Sequence, residues 1–180
     1  VYELVSDGVD MIVATDHNVV CDYAPIIAEL GVGRHLTSAT GDELTTAEWG
    51  HFGAFPIPQS EVSSGHGALH LAGKNPAELF HSAHQISAAT LVNVHHPRID
   101  REIGYFNLTR FQPRLDRADS PRFSFDFDAL EVLNGYQDAE RKHIDQLIDD
   151  WMSLLNHGHL VTATGNSDTH HLNYNLGGYP

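Results

Sequence analysis

The pattern that most constrains the fold of this chain is an alternation of short apolar segments with helical segments. Six segments predict strands over residues 10–14, 35–44, 50–57, 89–94, 129–133 and 160–164. Helices are predicted over residues 23–30, 75–85 and 139–156. Alternating strands and helices are typical of a parallel sheet that is either closed into a barrel or doubly wound.

The second of these helices has the clearest start. Asn75 is suited to the N-cap position, Pro76 to the first helical position and Glu78 to the third. Together these residues form a capping-box pattern, in which the N-cap and the third residue bond to each other's backbone. The helix is expected to run to about Gln85.

Polar side chains, most of them able to bind metals, follow almost every predicted strand. The side chains concerned are Asp16, His17, Glu43, His96, Asn134, Asp168 and His170. A β/α barrel assembles its active site from the carboxyl ends of several strands, whereas an open sheet gathers such groups chiefly at one switch point. The distribution along the chain therefore favours a barrel.

Composition narrows the class of protein. The chain has 180 residues, 14 histidines, a net charge of −14 and one cysteine, Cys21. The length fits a single domain over residues 1–180, and the acidic balance argues against nucleic-acid binding, which relies on basic patches. No apolar run approaches the roughly 20 residues of a membrane span, and one cysteine forms no internal disulfide. Because histidine is the commonest metal-ligating side chain, the composition indicates a metal site.

The two ends of the chain indicate an excerpt of a longer protein. Val1 is not methionine, no signal-peptide pattern follows it, and residues 177–180 stop in a loop without a closing element. We therefore expect a domain that is truncated at both ends. The sequence assigns it no cellular compartment and no oligomeric state.

The polar clusters contain nitrogen and oxygen ligands for a divalent metal ion. Imidazole and carboxylate ligands without thiolates suit zinc, manganese or iron. Asp168 and His170 are two positions apart, so an extended segment places both side chains on one face. Asp16 and His17 are adjacent, so only one of them can face the same site. The other is expected to orient an imidazole from behind.

A predicted turn separates Glu43 from His51, which lets two neighbouring strand regions contribute to one centre. A carboxylate can bridge two metal ions, and paired ions generate hydroxide near neutral pH. A single histidine is more often a surface or core residue than a ligand. We assign that ordinary role to His66, His70, His81, His84, His143, His157 and His159.

Five ordered segments resemble successive motifs of the PHP (polymerase and histidinol phosphatase) superfamily, most closely its CehA/McbA-like branch of metallohydrolases. The segments are DGVDMIVATDHN (7–18), GDELTTAEWGHFGAFP (41–56), VNVHHPR (92–98), ALEVLNG (129–135) and TGNSDTHHL (164–172). The resemblance extends from Asp7 to Leu172 and is weakest over residues 98–128. It implies a distorted (β/α)7 TIM-like barrel that holds up to three divalent metal ions.

The resemblance also implies a set of metal ligands. The residues at the matching positions are His17, Glu43, His51, His96, Asp168 and His170. Glu43 would bridge two ions, and His51 and His96 would complete one of these two centres. Asp168 would bind the ion on the other side of Glu43, and the two remaining histidines would hold the third ion.

Three further residues are expected to support these ligands. The family motif places its ligand histidine directly before proline, which selects His96, before Pro97, over His95. His95 is then expected to lie behind the ligands. Asp16 and Asn134 are expected to do the same at the ends of their strands.

The chain departs from the family pattern at its start. Members of the superfamily open with a His-x-His strand, which is absent here, and the six predicted strands are one short of seven. Either the excerpt omits this strand or the protein is a degenerate relative with a crippled first metal site. The abrupt start and the intact remaining ligands favour omission. The fragment is expected to hold the centre of Glu43, His51 and His96 best, and could be inactive by itself.

The segment 98–128 lacks periodicity and is predicted to be a long, arginine-rich insertion. Its arginines are Arg98, Arg101, Arg110, Arg114, Arg117 and Arg122. With four acidic residues, stretch 98–122 carries a net charge of +2, which would focus an anionic substrate toward the metals. Arg98 lies two positions after His96 and is the arginine expected to contact the substrate. The alternative is a solvated loop whose arginines pair with its own acids.

The sequence thus predicts a metal-dependent hydrolase in which a metal-bound hydroxide attacks the substrate. A small anionic phosphoester is the preferred substrate, and a carboxylester, carbamate or amide remains open. A non-catalytic metal-binding module of a larger protein is the alternative from another class. The chain has no G-x-S-x-G motif, so no separate protein nucleophile is expected.

Overall fold

A computed structural model describes residues 1–99, 103–135 and 141–170, without the side chains of Arg141 and Lys142. The α-helices in these ranges are α1 (Tyr2–Ser6), α2 (Ala24–Glu29), α3 (Pro76–His84), α4 (Tyr105–Leu108) and α5 (Arg141–Asn156). The strands are β1 (Met11–Ala14), β2 (Thr37–Thr40), β3 (Asp42–Thr45), β4 (His51–Phe55), β5 (Leu91–Val94), β6 (Ala129–Asn134) and β7 (Thr162–Asn166). Among the described helices, none has both the length and the apolar character needed to cross a bilayer.

The strands form two open sheets. β1 and β2 pair in parallel, and the other five strands form a sheet in the order β3-β4-β5-β6-β7. The pairs β3–β4 and β4–β5 are antiparallel, whereas β5–β6 and β6–β7 are parallel. The described ranges contain no closed barrel, so the predicted distorted (β/α)7 barrel is wrong.

The barrel prediction fails at the connection between β3 and β4. Thr45 and His51 face each other across a hairpin, and only residues 46–50 connect the two strands. A parallel connection needs a dozen or more residues, so this link permits only antiparallel pairing. Residues 42–55 therefore form a hairpin where two parallel barrel strands are expected.

Gly41 separates β2 from β3, which the sequence predicts as one strand. A Cβ atom on Gly41 would lie 3.0 Å from the carbonyl oxygen of Ala14, so the backbones approach more closely there than a side chain allows. Just beyond, the amide of Glu43 donates to the carbonyl of Asp16, and the amide of Asn18 donates to the carbonyl of Glu43, at 3.1 and 3.0 Å. The end of β1 is thereby held against β3.

Helix α3 begins as the sequence predicts. The Asn75 side chain accepts from the amide of Glu78 at 3.2 Å, and the Glu78 carboxylate accepts from the amide of Asn75 at 2.9 Å. The capping box is therefore confirmed, and the helix extends from Pro76 to His84. Its apolar face packs Phe80 against Phe52 of β4 with the two rings edge to face, 4.8 Å apart.

The predicted insertion contributes to the core. Tyr105 and Phe106 of α4 are fully buried, and Phe111 is nearly so. The Tyr105 ring lies edge to face with Phe52 and stacks on Phe123, at centroid distances of 5.1 and 5.0 Å. The segment 98–128 is thus, where described, an aromatic layer on the sheet rather than a purely solvated loop.

Some predicted features lie outside the described residues. These are residues 100–102 of the arginine-rich segment, the first two residues of the predicted helix 139–156, and His171 and Leu172 of the last motif.

Candidate metal centre

Five of the six predicted ligands line one cleft of about 1100 Å³. These five are His17, Glu43, His96, Asp168 and His170. The sixth, His51, contacts Glu43 from the amino end of β4. Because β4 is antiparallel to β5, its amino end lies at the sheet edge where the parallel strands have their carboxyl ends.

Glu43 is the centre of the cluster. Its carboxylate is buried, and Oε2 lies 2.5 Å from Nδ1 of His17. Oε1 lies 2.9 Å from Nδ1 of His95, 3.4 Å from Nδ1 of His51 and 3.6 Å from Nε2 of His96. Four imidazoles from three parts of the chain thus surround one carboxylate.

Two of these contacts have the spacing of metal ligands rather than of hydrogen bonds. Ligand atoms bound tetrahedrally at about 2.1 Å from an ion lie about 3.4 Å from one another. The separations from Glu43 Oε1 to His51 and His96 match this value and exceed the usual hydrogen-bond length. In addition, Nδ1 of His51 and Nδ1 of His96 are buried without a hydrogen-bond partner among the described residues. His17, Glu43 and His51 also place three ligand atoms within 4.8 Å of one another.

His17 connects Glu43 to the last predicted ligand. Its Nδ1 lies 2.5 Å from Oγ1 of Thr45, and its Nε2 lies 3.3 Å from Nε2 of His170. His170 donates from Nδ1 to the carbonyl of Asp168 at 2.8 Å, since a carbonyl oxygen only accepts. A neutral His170 with its proton on Nδ1 presents an unprotonated Nε2 toward His17.

His95 lies against a glycine. A Cβ atom on Gly53, which faces Glu43 across the β3–β4 pair, would lie 2.4 Å from Nε2 of His95. The absence of a side chain at Gly53 therefore leaves the space that the His95 ring occupies. From there Nδ1 of His95 contacts Glu43, as expected for a residue that supports a ligand.

Glu131 is a site residue that the sequence reasoning missed. It is buried, and its Oε1 accepts from the amide of His96 at 2.9 Å and from Nδ2 of Asn134 at 2.8 Å. Its Oε2 accepts from Nδ2 of Asn166 at 2.6 Å. Asn134 also donates to Asp168 at 3.2 Å, which places this predicted supporting residue beside a predicted ligand. A carboxylate within the apolar strand ALEVLN was the available sign of this role.

The electrostatics of the cluster favour a charged carboxylate. Burial alone raises the pKa of Glu43, but the imidazoles of His51, His95 and His96 outweigh it and hold the pKa well below its usual range. Burial alone lowers the pKa of His96, but the carboxylates of Glu43 and Glu131 outweigh it and raise that pKa. The site is therefore an anionic centre that favours a proton on His96 or a cation in its place.

Asp16 has a different partner from the one expected. Its carboxylate accepts from the hydroxyl of Tyr23 at 3.1 and 3.2 Å, and no described imidazole donates to it. Burial, followed by the Asp16 charge, raises the pKa of Tyr23 to about 12. Asp16 thus fixes the segment after β1 rather than the ring of a histidine.

Arg98 also differs from its expected role. Its Nε donates to Asp150, its Nη1 to Asn107 at 3.2 Å and its Nη2 to the carbonyl of Phe111 at 3.2 Å. The guanidinium lies over the ring of Phe106, its side chain is 13% exposed, and it does not line the cleft. These contacts connect the aromatic layer to α5, so substrate contact by Arg98 is not what the geometry supports.

Comparison of the chain with protein-family models, with curated proteins and with solved structures finds no match.

Proposed function

We infer that this chain is a metal-dependent hydrolase that binds divalent ions at Glu43 and the surrounding histidines. The observation that carries the inference is the buried Glu43 carboxylate, which four imidazoles approach within 3.6 Å. The motifs that resemble the PHP superfamily support the same assignment. Phosphoesters are the proposed substrate class, and carboxylesters, carbamates and amides are the alternatives.

The donor set fits a borderline or hard divalent ion. The cluster has nitrogen and oxygen donors and no thiolate, so zinc, manganese or iron suits it. Glu43, His51 and His96 are the residues proposed to hold an ion best, because the two histidine nitrogens each lie at a ligand-like distance from Oε1 of Glu43. His17 brings a further donor atom to within 4.8 Å of those of Glu43 and His51. His17, Asp168 and His170 would hold further ions, up to three in the complete protein.

A divalent ion in this position would polarise a phosphoryl or carbonyl oxygen and lower the pKa of water that it binds. The residues of the chain position the ligands and leave room for the substrate. His95 orients the Glu43 carboxylate from behind, and Glu131 fixes the backbone of His96 through its amide. The cleft of about 1100 Å³ is large enough for a small organic substrate. The His17 side chain, which is 46% exposed, leaves the cluster open to solvent and to substrate.

Metal analysis combined with turnover measurements tests the proposal. The purified chain is loaded with zinc, manganese or iron, dialysed, and assayed for bound metal and for hydrolysis of phosphoesters and carboxylesters. We expect bound metal and turnover in the wild type and loss of both in Glu43→Gln. His81→Gln is the matched control, because His81 is an exposed histidine of α3 outside the cluster.

The possible outcomes separate the alternatives. Turnover of carboxylesters but not of phosphoesters would assign the alternative substrate class. Stable metal binding without turnover of any substrate would favour a non-catalytic metal-binding module. A wild type that retains no more metal than Glu43→Gln would overturn the proposed site altogether.

A further inference from the structure

A second cavity, of about 640 Å³, lies next to His17 on the side of Thr45. Thr45 lines this cavity, and its Oγ1 lies 2.5 Å from Nδ1 of His17, which lines the cleft of the metal cluster. Asn18 lines the cavity too and is bonded to both backbone groups of Thr45, at 3.0 and 3.3 Å. The cavity is therefore adjacent to the cluster, with a hydrogen-bonded wall between them.

An arginine and a tryptophan face this cavity together. The Cζ atom of Arg122 lies 6.0 Å from the centroid of the Trp49 ring, at the outer limit of a cation–π contact. Trp49 is held by its amide, which donates to Oγ1 of Thr46 at 2.9 Å, and by packing against the core. Among the described residues, neither the Trp49 indole N–H nor the Arg122 guanidinium has a hydrogen bond or an ion pair.

The cavity is locally cationic in an acidic chain. Arg122 and Lys74 line it together with a single carboxylate, Glu48, whereas the whole chain carries a net charge of −14. Lys74 donates to Oγ of Ser82 at 3.0 Å, and within the described ranges neither cation forms an ion pair with Glu48. A concave surface with two cations and one carboxylate has a local net charge of +1 and attracts anions.

We propose that this cavity is a binding subsite for an aromatic ring that carries an anionic group, such as an aryl carboxylate. The ring packs against Trp49, and the anionic group accepts from the Arg122 guanidinium and from Lys74. As a statement about substrate class, this assignment rests on the proposed hydrolase function: the subsite holds the non-reacting part of the substrate, which extends over the wall and across the exposed His17 side chain to bring its scissile bond to the cluster. The binding step itself requires no metal.

Ligand binding in the presence of a chelator tests the subsite separately from catalysis. The probe is benzoate, with benzamide as its uncharged counterpart and cyclohexanecarboxylate as its non-aromatic counterpart. The Trp151→Phe protein makes Trp49 the single tryptophan, so fluorescence quenching reports on the cavity. We expect saturable quenching by benzoate and at least about tenfold weaker binding of both counterparts.

Variants locate the binding. Arg122→Gln and Trp49→Leu are expected to weaken benzoate binding by about tenfold, measured by calorimetry. Arg114→Gln is the matched control, since Arg114 is an exposed arginine that pairs with Asp149 of α5. Absence of benzoate binding, or binding that is equal in all three variants, would overturn the subsite. Absence of turnover by the metal-loaded wild type, with intact benzoate binding, would contradict the hydrolase function alone.

Discussion

The Nε2 atoms of His17 and His170 lie 3.3 Å apart, although 153 positions separate the two residues in the chain. Because His170 donates through Nδ1 to the carbonyl of Asp168, its Nε2 is unprotonated in the neutral ring. Two facing imidazole nitrogens at this distance are stable when a proton or a cation lies between them. With such a bridge, the pair would join the segment after β1 in one sheet to the segment after β7 in the other.

Removal of either member of the pair should reduce metal affinity. We expect His170→Ala and His17→Ala each to weaken binding of zinc or manganese at least about tenfold, as measured by calorimetry. If both residues hold the same ion, the fold-loss of metal affinity in the double variant should be smaller than the product of the fold-losses in the two single variants. Fully multiplicative losses would indicate that the two histidines act on separate ions, and unchanged affinities would exclude both as ligands.

Gly53→Ala should disturb the cluster without touching a ligand. The added Cβ would lie 2.4 Å from Nε2 of His95, so the ring must leave its contact with Glu43. We expect a loss of about 1–3 kcal/mol in the free energy of unfolding and weaker metal binding. Gly33→Ala is the control, because a Cβ there meets its nearest atom at an ordinary 3.8 Å. Equal metal affinity in both variants would show that the position of His95 is irrelevant to the site.

Arg98→Ala should lower stability rather than raise KM. The variant removes three hydrogen bonds and leaves Asp150 buried without its cation, which costs about 3 kcal/mol or more in urea denaturation. Arg114→Ala breaks the neighbouring exposed pair with Asp149 and should cost at most about 1 kcal/mol. A normal urea midpoint with an increased KM would instead restore the role in substrate contact that the sequence suggests.

Tyr105 should make stability sensitive to alkaline pH. Burial raises the pKa of its phenol above the ordinary value, although the hydrogen bond with the Ser124 backbone lowers it in part. Above about pH 10 the unfolded chain loses this proton first, so the free energy of unfolding falls by about 1.4 kcal/mol per pH unit until the folded pKa is reached. Below pH 10 the group contributes no pH dependence, since both states hold the proton.

Urea denaturation between pH 8 and 11 checks this expectation. Tyr105→Phe removes the hydroxyl and its two hydrogen bonds, which should lower the free energy of unfolding by about 1 kcal/mol near neutral pH. This deficit relative to the wild type should shrink as the pH rises. Tyr2→Phe, at an exposed tyrosine, should keep a constant difference from the wild type. A Tyr105→Phe deficit that stays constant to pH 11 would contradict the argument.

Local features of the fold could be predicted from the sequence where a short-range mechanism specifies them. The capping box of Asn75 and Glu78 defines the start of α3 without any tertiary contact. The failure at β3–β4 has a different origin, since strand periodicity does not specify the direction of a neighbouring strand. The length of the connection does, and residues 46–50 already excluded a parallel pair.

The candidate site also has residues that the sequence predicts and residues that it does not. The residue types and their positions after strands predicted a cluster around Glu43, and the structure brings the predicted ligands to one place. Glu131 was missed because its strand has the pattern of a buried apolar segment, and no role in the site was predicted for a carboxylate within it. The contact of the Arg98 guanidinium with Asp150, 52 positions away, could not be predicted from the closeness of Arg98 to His96 in the sequence.

The β3–β4 hairpin has a consequence for the order in which this centre forms. Glu43 and His51 are eight positions apart and are brought together by a five-residue connection, so half of the centre needs only local chain closure. His96 and His170 join through contacts that are far longer in sequence and close later in folding. A nascent chain that has formed this hairpin would already offer a two-point chelate, and an ion captured there could guide the arrival of the remaining ligands.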